Sequence, residues 1–247
     1  EIRLSLVGSE MCIRDRRKCD SMSAIAIITA RGGSKRIPRK NIKNFCGKPI
    51  LQYSIEAALG SEMFDEVMVS TDDREIAEIA KECGANIPFF RSDKTSGDYA
   101  STEDVLVEVI NEYKKNGKEF DTYCCIYPTA PFLTGGILRE AVRKFEAEKA
   151  DFMTPVVRFA YPPQRCQIIE NGQLVRKWPE YKYTRSQDLE PWYHDAGQFY
   201  IGNIECLLKN GMSNGVNIPY IMEEMRVQDI DTEEDWKIAE MKFRLIN

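Results

Sequence analysis

Ala24-Ile25-Ala26-Ile27-Ile28, followed at once by Ala30-Arg31-Gly32-Gly33-Ser34-Lys35-Arg36-Ile37-Pro38-Arg39-Lys40-Asn41, is the stretch on which the fold turns. The apolar run has no polar alternation, as expected of a strand buried on both faces of a parallel sheet. The loop after it carries six basic side chains from Arg31 to Lys43 and no acidic one, in a chain of net charge -5. Adjacent glycines allow close backbone approach, and Ser34 adds a hydroxyl donor. A strand opening into such a loop suits phosphate binding. It is not the phosphate loop of the common NTPases, because Gly47-Lys48 is followed by Pro49 rather than Ser or Thr, and no Gly-x-Gly-x-x-Gly occurs. Two readings remain open on the loop alone: a nucleoside triphosphate loop of the nucleotidyltransferase kind, and a solvated basic turn.

Working outward, Ile50 to Leu59 forms a helix with Pro49 at its first turn, and Glu66 to Ser70 the next strand. Asp72-Asp73 caps a helix through Cys83, closed by Gly84. A helix over Thr102–Lys115, a strand over Thr122–Tyr127 and a helix over 136–148 complete a doubly wound, mostly parallel α/β sheet. Pro128-Thr129-Ala130-Pro131 stops the strand at its carboxyl end, where such sheets place ligands. Beyond Phe152 the rhythm changes. A hairpin turns on Asn171-Gly172, and residues 155–195 read as a small antiparallel excursion rich in Tyr, Trp and Pro. Gln198 to Ile201 resumes a strand, Glu205 to Lys209 starts a short helix, and Met225 to Gln228 is the last strand. Thr232 caps a closing helix through Leu245.

The 247 residues, 43% apolar and 30% charged, fit one large globular α/β domain over 22–247. Leu4 to Arg16 resembles a translated sequencing adapter, so residues 1–21 are expected to be a disordered, non-native tag with a natural start near Met22. Basic charge confined to one loop argues for a small polyanion rather than nucleic acid, and no apolar run reaches membrane-spanning length. Eight scattered cysteines without a Cys-x-x-Cys pair, and a single histidine, are expected to be reduced, mostly buried thiols in a cytoplasmic protein rather than a zinc site. Asp229 and Asp231, two apart in an extended segment, face the same way and can reach one hard cation; alone, Asp-Ile-Asp-Thr-Glu-Glu-Asp is more safely read as a plain helix start, and only beside the basic loop does it become a metal pair.

Ala30 to Lys35, Lys40-Asn41 and Gly47-Lys48-Pro49-Ile50 together resemble the opening of the acylneuraminate cytidylyltransferase family, which activates nonulosonic acids with CTP. Tyr127-Pro128-Thr129-Ala130-Pro131-Phe132, Thr184-Arg185-Ser186-Gln187-Asp188-Leu189 and His194-Asp195-Ala196-Gly197-Gln198-Phe199-Tyr200 follow in the family order. The resemblance spans residues 24–245 and implies a nucleotide-diphospho-sugar transferase-like fold and a magnesium-dependent transfer of CMP with release of pyrophosphate. Arg31, Gly33, Ser34, Lys35, Lys40 and Asn41 would hold CTP, with Arg91 and Ser101 lining the cytidine pocket. Arg31, Lys40 and Asp231 would be catalytic, and Asp229 and Asp231 would bind magnesium. Tyr127, Arg185, Gln187, Gln198 and Phe199 would meet the sugar. Tyrosine at 127 and glutamine at 198 point to pseudaminic acid; legionaminate, sialate and Kdo activation, or a catalytically silent nucleotide-binding regulator, are the alternatives. The excursion is implied to be the arm of a homodimer.

Overall fold

A computed structural model describes residues 22–246; the expected terminal tag lies outside the described residues. The basic loop is rooted in β1 (Ala24–Thr29), flanked by β4 (Glu66–Ser70) and β5 (Thr122–Ile126) in parallel register, with Ile27 opposite both Met68 and Cys125. Between β1 and β4 lie the two-residue strands β2 (Asn44–Phe45) and β3 (Lys48–Pro49), which pair with each other. The sheet extends beyond β5 through β10 (Phe199–Asn203), antiparallel to it, then β6 (Phe152–Arg158) and β11 (Asn217–Ile221). β9 (Tyr193–Asp195) pairs antiparallel with the end of β6, and β7 (Gln167–Glu170) with β8 (Gln173–Arg176) forms a separate hairpin.

Helices cover both faces, which explains the unbroken apolar run of β1. Ala26 and Ile28 pack with Leu51 and Ile55 of α1 (Ile50–Ser61), Ile76 and Ala80 of α2 (Arg74–Glu82) and Phe145 of a longer helix, Gly135–Glu148. Ile25 and Ile27 face the other way, onto Val105, Leu106 and Val109 of the helix Thr102–Lys115. In chain order these two helices are α4 (Thr102–Lys115) and α5 (Gly135–Glu148), after the one-turn α3 (Asp93–Ser96); α6 (Ile204–Asn210) and α7 (Glu233–Ile246) follow. Alternate side chains of one strand thus enter two cores.

A third, smaller core explains how the two ends of the chain meet. Ile37 of the basic loop, Phe45, Ile50 and Phe132 pack with Ile230, Trp236 and Ala239. Burying Ile230 holds its neighbours Asp229 and Asp231 beside the loop. The cap expected at α7 is present, with Thr232 Oγ1 accepting from Asp235 N at 3.2 Å and Asp235 Oδ2 accepting from Thr232 N at 2.8 Å.

Two expectations need correction. Residues 225–228 are not a strand: Glu224–Arg226 is a single helical turn, and the last strand is β11, paired parallel with β6. β11 was obscured because Pro219 sits in it; at this edge position the missing N–H is tolerated. Among the described cysteines only Cys124 and Cys125 are buried, while Cys166 is exposed.

Candidate active site

The basic loop leaves β1 at the carboxyl edge of the sheet and is folded by its own side chains. Asn41 Nδ2 donates to Arg31 O at 2.9 Å, and Gly32 N donates to Asp72 Oδ1 at 2.8 Å. A Cβ on Gly32 would stand 2.8 Å from Asp73 Oδ2, so the first glycine is required for space. Gly33 faces open space, which leaves its amide approachable. Arg39 enters the left-handed region (φ 56°) just before the helical turn Lys40–Ile42 and forks onto Asp73 and Glu75.

A cavity of about 190 Å³ opens against this loop, lined by Arg31, Ser34, Lys40, Asn41, Tyr127 and Thr129. Lys40 is held from below: Nζ donates to Ile230 O at 2.7 Å and lies 3.5 Å from Asp231 Oδ1. Arg36 reaches the same carboxylate at 2.9 Å. Arg31 and Lys35 both engage Asp98. These pairs are largely exposed, so each contributes little to stability and yields readily to a stronger anion.

Tyr127 is the wall shared with a second cavity of about 550 Å³, whose lining includes Arg158, His194, Asp195, Tyr200, Asp229 and Lys242. Tyr127 Oη lies 3.3 Å from Thr102 Oγ1, its ring is 5.5 Å from that of Tyr200, and Tyr200 Oη donates to Asp195 at 2.9 Å. Burial pushes both phenols above their ordinary range, so both remain protonated donors. Asp195 also accepts from Gly197 N at 2.7 Å, which fixes the wall.

The structure brings Arg31, Ser34, Lys40, Asn41, Tyr127 and Asp229 into these two adjoining cavities, with Gly33 and Lys35 on the same loop and Asp231 beside Lys40. Other expected positions differ. Arg91 is buried, with Nε on Ser70 Oγ at 3.0 Å and Nη2 on Ser70 O at 2.8 Å, and ties the end of β4. Ser101 is the N-cap of α4 in a capping box with Asp104. Phe199 points into the core against Tyr220, opposite to the cavity wall expected for it, because neighbours on a strand face opposite ways. Gln198 is fully buried behind that wall, donating to Ala196 O at 3.1 Å, and its Oε1 has no partner among the described residues. Arg185 is forked onto Asp188 at 2.7 and 3.1 Å and does not line the 550 Å³ cavity; Gln187 lines a neighbouring one. Asp195, Tyr200, Arg158 and Lys242 were missed. Asp195 and Tyr200 stand inside a quoted motif, but the two cations are brought in only by tertiary packing.

Burial, then the nearby Asp231 carboxylate, raises Asp229 above the usual range, while Lys40 opposes this. Two carboxylates close enough to repel fit a divalent cation. No group of three or more His, Cys, Asp or Glu suited to a metal occurs among the described residues. A pair of hard oxygen donors without a full cage suits magnesium, which keeps waters and phosphate oxygens as further ligands.

A family model for cytidylyltransferases matches residues 25–202. The chain belongs to the cytidylyltransferase family. Pseudaminic acid cytidylyltransferase of Campylobacter jejuni is 41% identical over 226 residues, covering 91% of this chain and 97% of the relative. CMP-N,N'-diacetyllegionaminic acid synthase of Legionella pneumophila is 31% identical over 235 residues, with 91% and 97% covered. A solved CMP:2-keto-3-deoxy-manno-octonic acid synthetase complexed with CTP superposes with a TM-score of 0.64 at 19% identity, covering 91% of this chain and 100% of that one, a likeness of fold. The family expected from the motifs, the mixed and mostly parallel sheet and the nucleotidyltransferase class all agree with these findings. No helix among the described residues is long and apolar enough to cross a membrane.

Proposed function

We propose that this cytidylyltransferase transfers CMP from CTP to the anomeric hydroxyl of a nonulosonic acid, pseudaminic acid first among them, and releases pyrophosphate. The observation that carries this reading is the pair of cavities meeting at Tyr127, one lined by phosphate-seeking cations and the other by Asp229 and polar groups sized for a sugar. The choice of pseudaminic acid rests on the Campylobacter relative.

In this reading Arg31, Ser34, Lys35 and Lys40 bind the triphosphate and the amide of Gly33 approaches it. Lys40, anchored by Ile230 O, neutralises the α-phosphate in this reading. The sugar hydroxyl oxygen attacks the α-phosphorus in line with the departing pyrophosphate, so positioning and charge neutralisation supply most of the rate. Asp229 and Asp231 would hold magnesium, which when bound supplies Lewis acidity toward the phosphate oxygens. No dedicated base is assigned. The exposed Tyr161, Tyr183, Ile169 and Leu174 around the β7–β8 hairpin support a homodimer arm.

The test is a panel of pseudaminic, legionaminic, sialic and Kdo acids with CTP and magnesium, reading both the CMP-sugar and pyrophosphate. Pseudaminic acid should give the highest kcat/KM. CTP binding without turnover of any acid would replace the enzyme reading with that of a nucleotide-binding regulator.

A further inference from the structure

An acidic sugar entering the 550 Å³ cavity meets Asp195, Glu224 and Asp229 on its walls, so its own carboxylate needs a cation there. Arg185 is not among the residues lining that cavity and is paired with Asp188. The loop arginines Arg31, Arg36 and Arg39 are each engaged by carboxylates. The cavity itself presents two cations, Arg158 and Lys242. Lys242 donates to Val227 O at 2.8 Å and Glu224 O at 3.4 Å, so its ammonium is committed to fastening the wall.

Arg158 is different. Its backbone is fixed at the carboxyl end of β6, opposite Tyr193 of β9, while the preceding Val157 is anchored in the core. Its side chain is exposed, with no hydrogen bond or ion pair among the described residues. It also lines the adjoining cavity that contains Gln187, and so stands on the partition between the two. A rigid base carrying an unpaired planar fork is suited to bidentate capture of a carboxylate.

We infer that Arg158 receives the carboxylate of the acidic sugar and is the main electrostatic determinant for an acid over a neutral sugar. The inference rests on the proposed acidic acceptor. With Arg158 engaged, the carboxylate is held off Asp229 and the anomeric hydroxyl is left free to turn toward the cavity shared through Tyr127.

The experiment compares wild type, R158Q, R158K and R185Q in steady-state assays with CTP, magnesium and the best acid of the panel. The same assays use its carboxamide, in which the C1 carboxylate is replaced by a neutral amide. R158Q should raise KM for the acid about 10–100-fold, the range expected for losing a charge-assisted pair, and leave KM for CTP within about twofold. R158K should recover part of the loss, and R158Q should cost little with the carboxamide. An unchanged KM for the acid in R158Q, an equal rise for CTP, or the selective rise appearing in R185Q instead would each overturn the assignment. Wild type turning over no acid would remove the acidic-sugar reading and this inference with it; an active wild type with an indifferent R158Q removes the inference alone.

Discussion

The cavity of the basic loop and the cavity of β6, β9 and β10 sit side by side but are built on opposite principles. Around the loop every cation from Arg31 to Lys43 has a carboxylate partner: Asp98 for Arg31 and Lys35, Asp231 for Arg36 and Lys40, Asp73 for Arg39 and Glu233 for Lys43. In the larger cavity Arg158 is unpaired and Asp229 is raised by burial and by Asp231. One side is organised in advance by charge pairs that a polyanion can replace; the other waits for its charge to be brought by a ligand. The difference teaches that charge count alone does not describe a site: all six loop cations are paired, whereas Arg158 of the larger cavity is not.

The sharpest way to break that distinction is to compare two lysines three residues apart. Lys40 is half-buried, lines the smaller cavity and touches Ile230 O; Lys43 lies outside it, paired with Glu233 and 4.7 Å over the Trp236 ring. Lys40→Ala should lower kcat/KM about 100–1000-fold, as for removal of one preorganised donor at developing charge. Lys43→Ala should stay within about threefold of wild type. Equal losses in steady-state assays would show that the loop acts only as a diffuse field.

A second contrast concerns space rather than charge. A Cβ on Gly135 would lie 2.5 Å from Gly60 C and 2.8 Å from Ser61 N, backbone atoms that cannot step aside. Gly135→Ala should therefore cost about 1–3 kcal/mol in urea unfolding, the range for overpacking, as α5 is forced off α1. Gly33, with nothing near its missing side chain, should tolerate alanine in stability while its KM for CTP rises. A stable Gly135→Ala protein would mean that the helix pair has slack.

The half built around the basic loop was legible because its signals are local. The run in β1, the Asp73 cap, the capping at Thr232 and the break at Pro128 each act within a few residues, and each reappears in the structure. The Asn171-Gly172 turn was legible for the same reason, with φ of 50° and 77°. The larger cavity was not. β11 reads poorly in isolation because Pro219 interrupts it, and its pairing with β6 joins segments some 65 positions apart, as Asn217 with Phe152. Phe199 and Gln198 were assigned to the wall by motif order, whereas the pleat turns Phe199 into the core, away from Tyr200, and Gln198, just before β10, is buried on the backbone of Ala196. Arg158 and Lys242 belong to no motif; only the packing of Ile230 and Trp236 brings α7 to the cavity.

Asp73 joins the two kinds of order, since it caps α2 through Glu75 N and Ile76 N, both at 3.0 Å, and also holds Arg39. The Arg39 guanidinium holds its carboxyl below the usual range. The folded state therefore favours the ionised form: the stabilisation is present above the ordinary carboxylate value of about 4 and is lost as pH falls through the lower folded value. Asp73→Ala should cost about 1 kcal/mol, typical of a lost cap. In wild type the difference from this variant should shrink below about pH 4, measured by urea unfolding across pH; a difference independent of pH would separate the cap from the charge.

The smallest effect expected is at His194, the single histidine, and it bears on whether the larger cavity binds or also moves protons. His194 Nδ1 is 2.9 Å from Asp195 O, an oxygen that only accepts, so Nδ1 carries the hydrogen and the ring is oriented by the backbone of β9. Its ring lies 4.7 Å from that of Phe159, a packing contact that fixes the ring plane. A side chain tied in this way shapes the wall. His194→Ala should raise KM for the sugar about three- to tenfold, leave kcat within about threefold and keep the same limbs in the pH–rate profile. A base would behave otherwise: its removal would abolish turnover and erase one limb of that profile while KM stayed in place. In the proposed reading the larger cavity is then a binding surface for the sugar and the loop delivers the chemistry across Tyr127, and a His194→Ala enzyme that binds but does not turn over would reverse that division of labour.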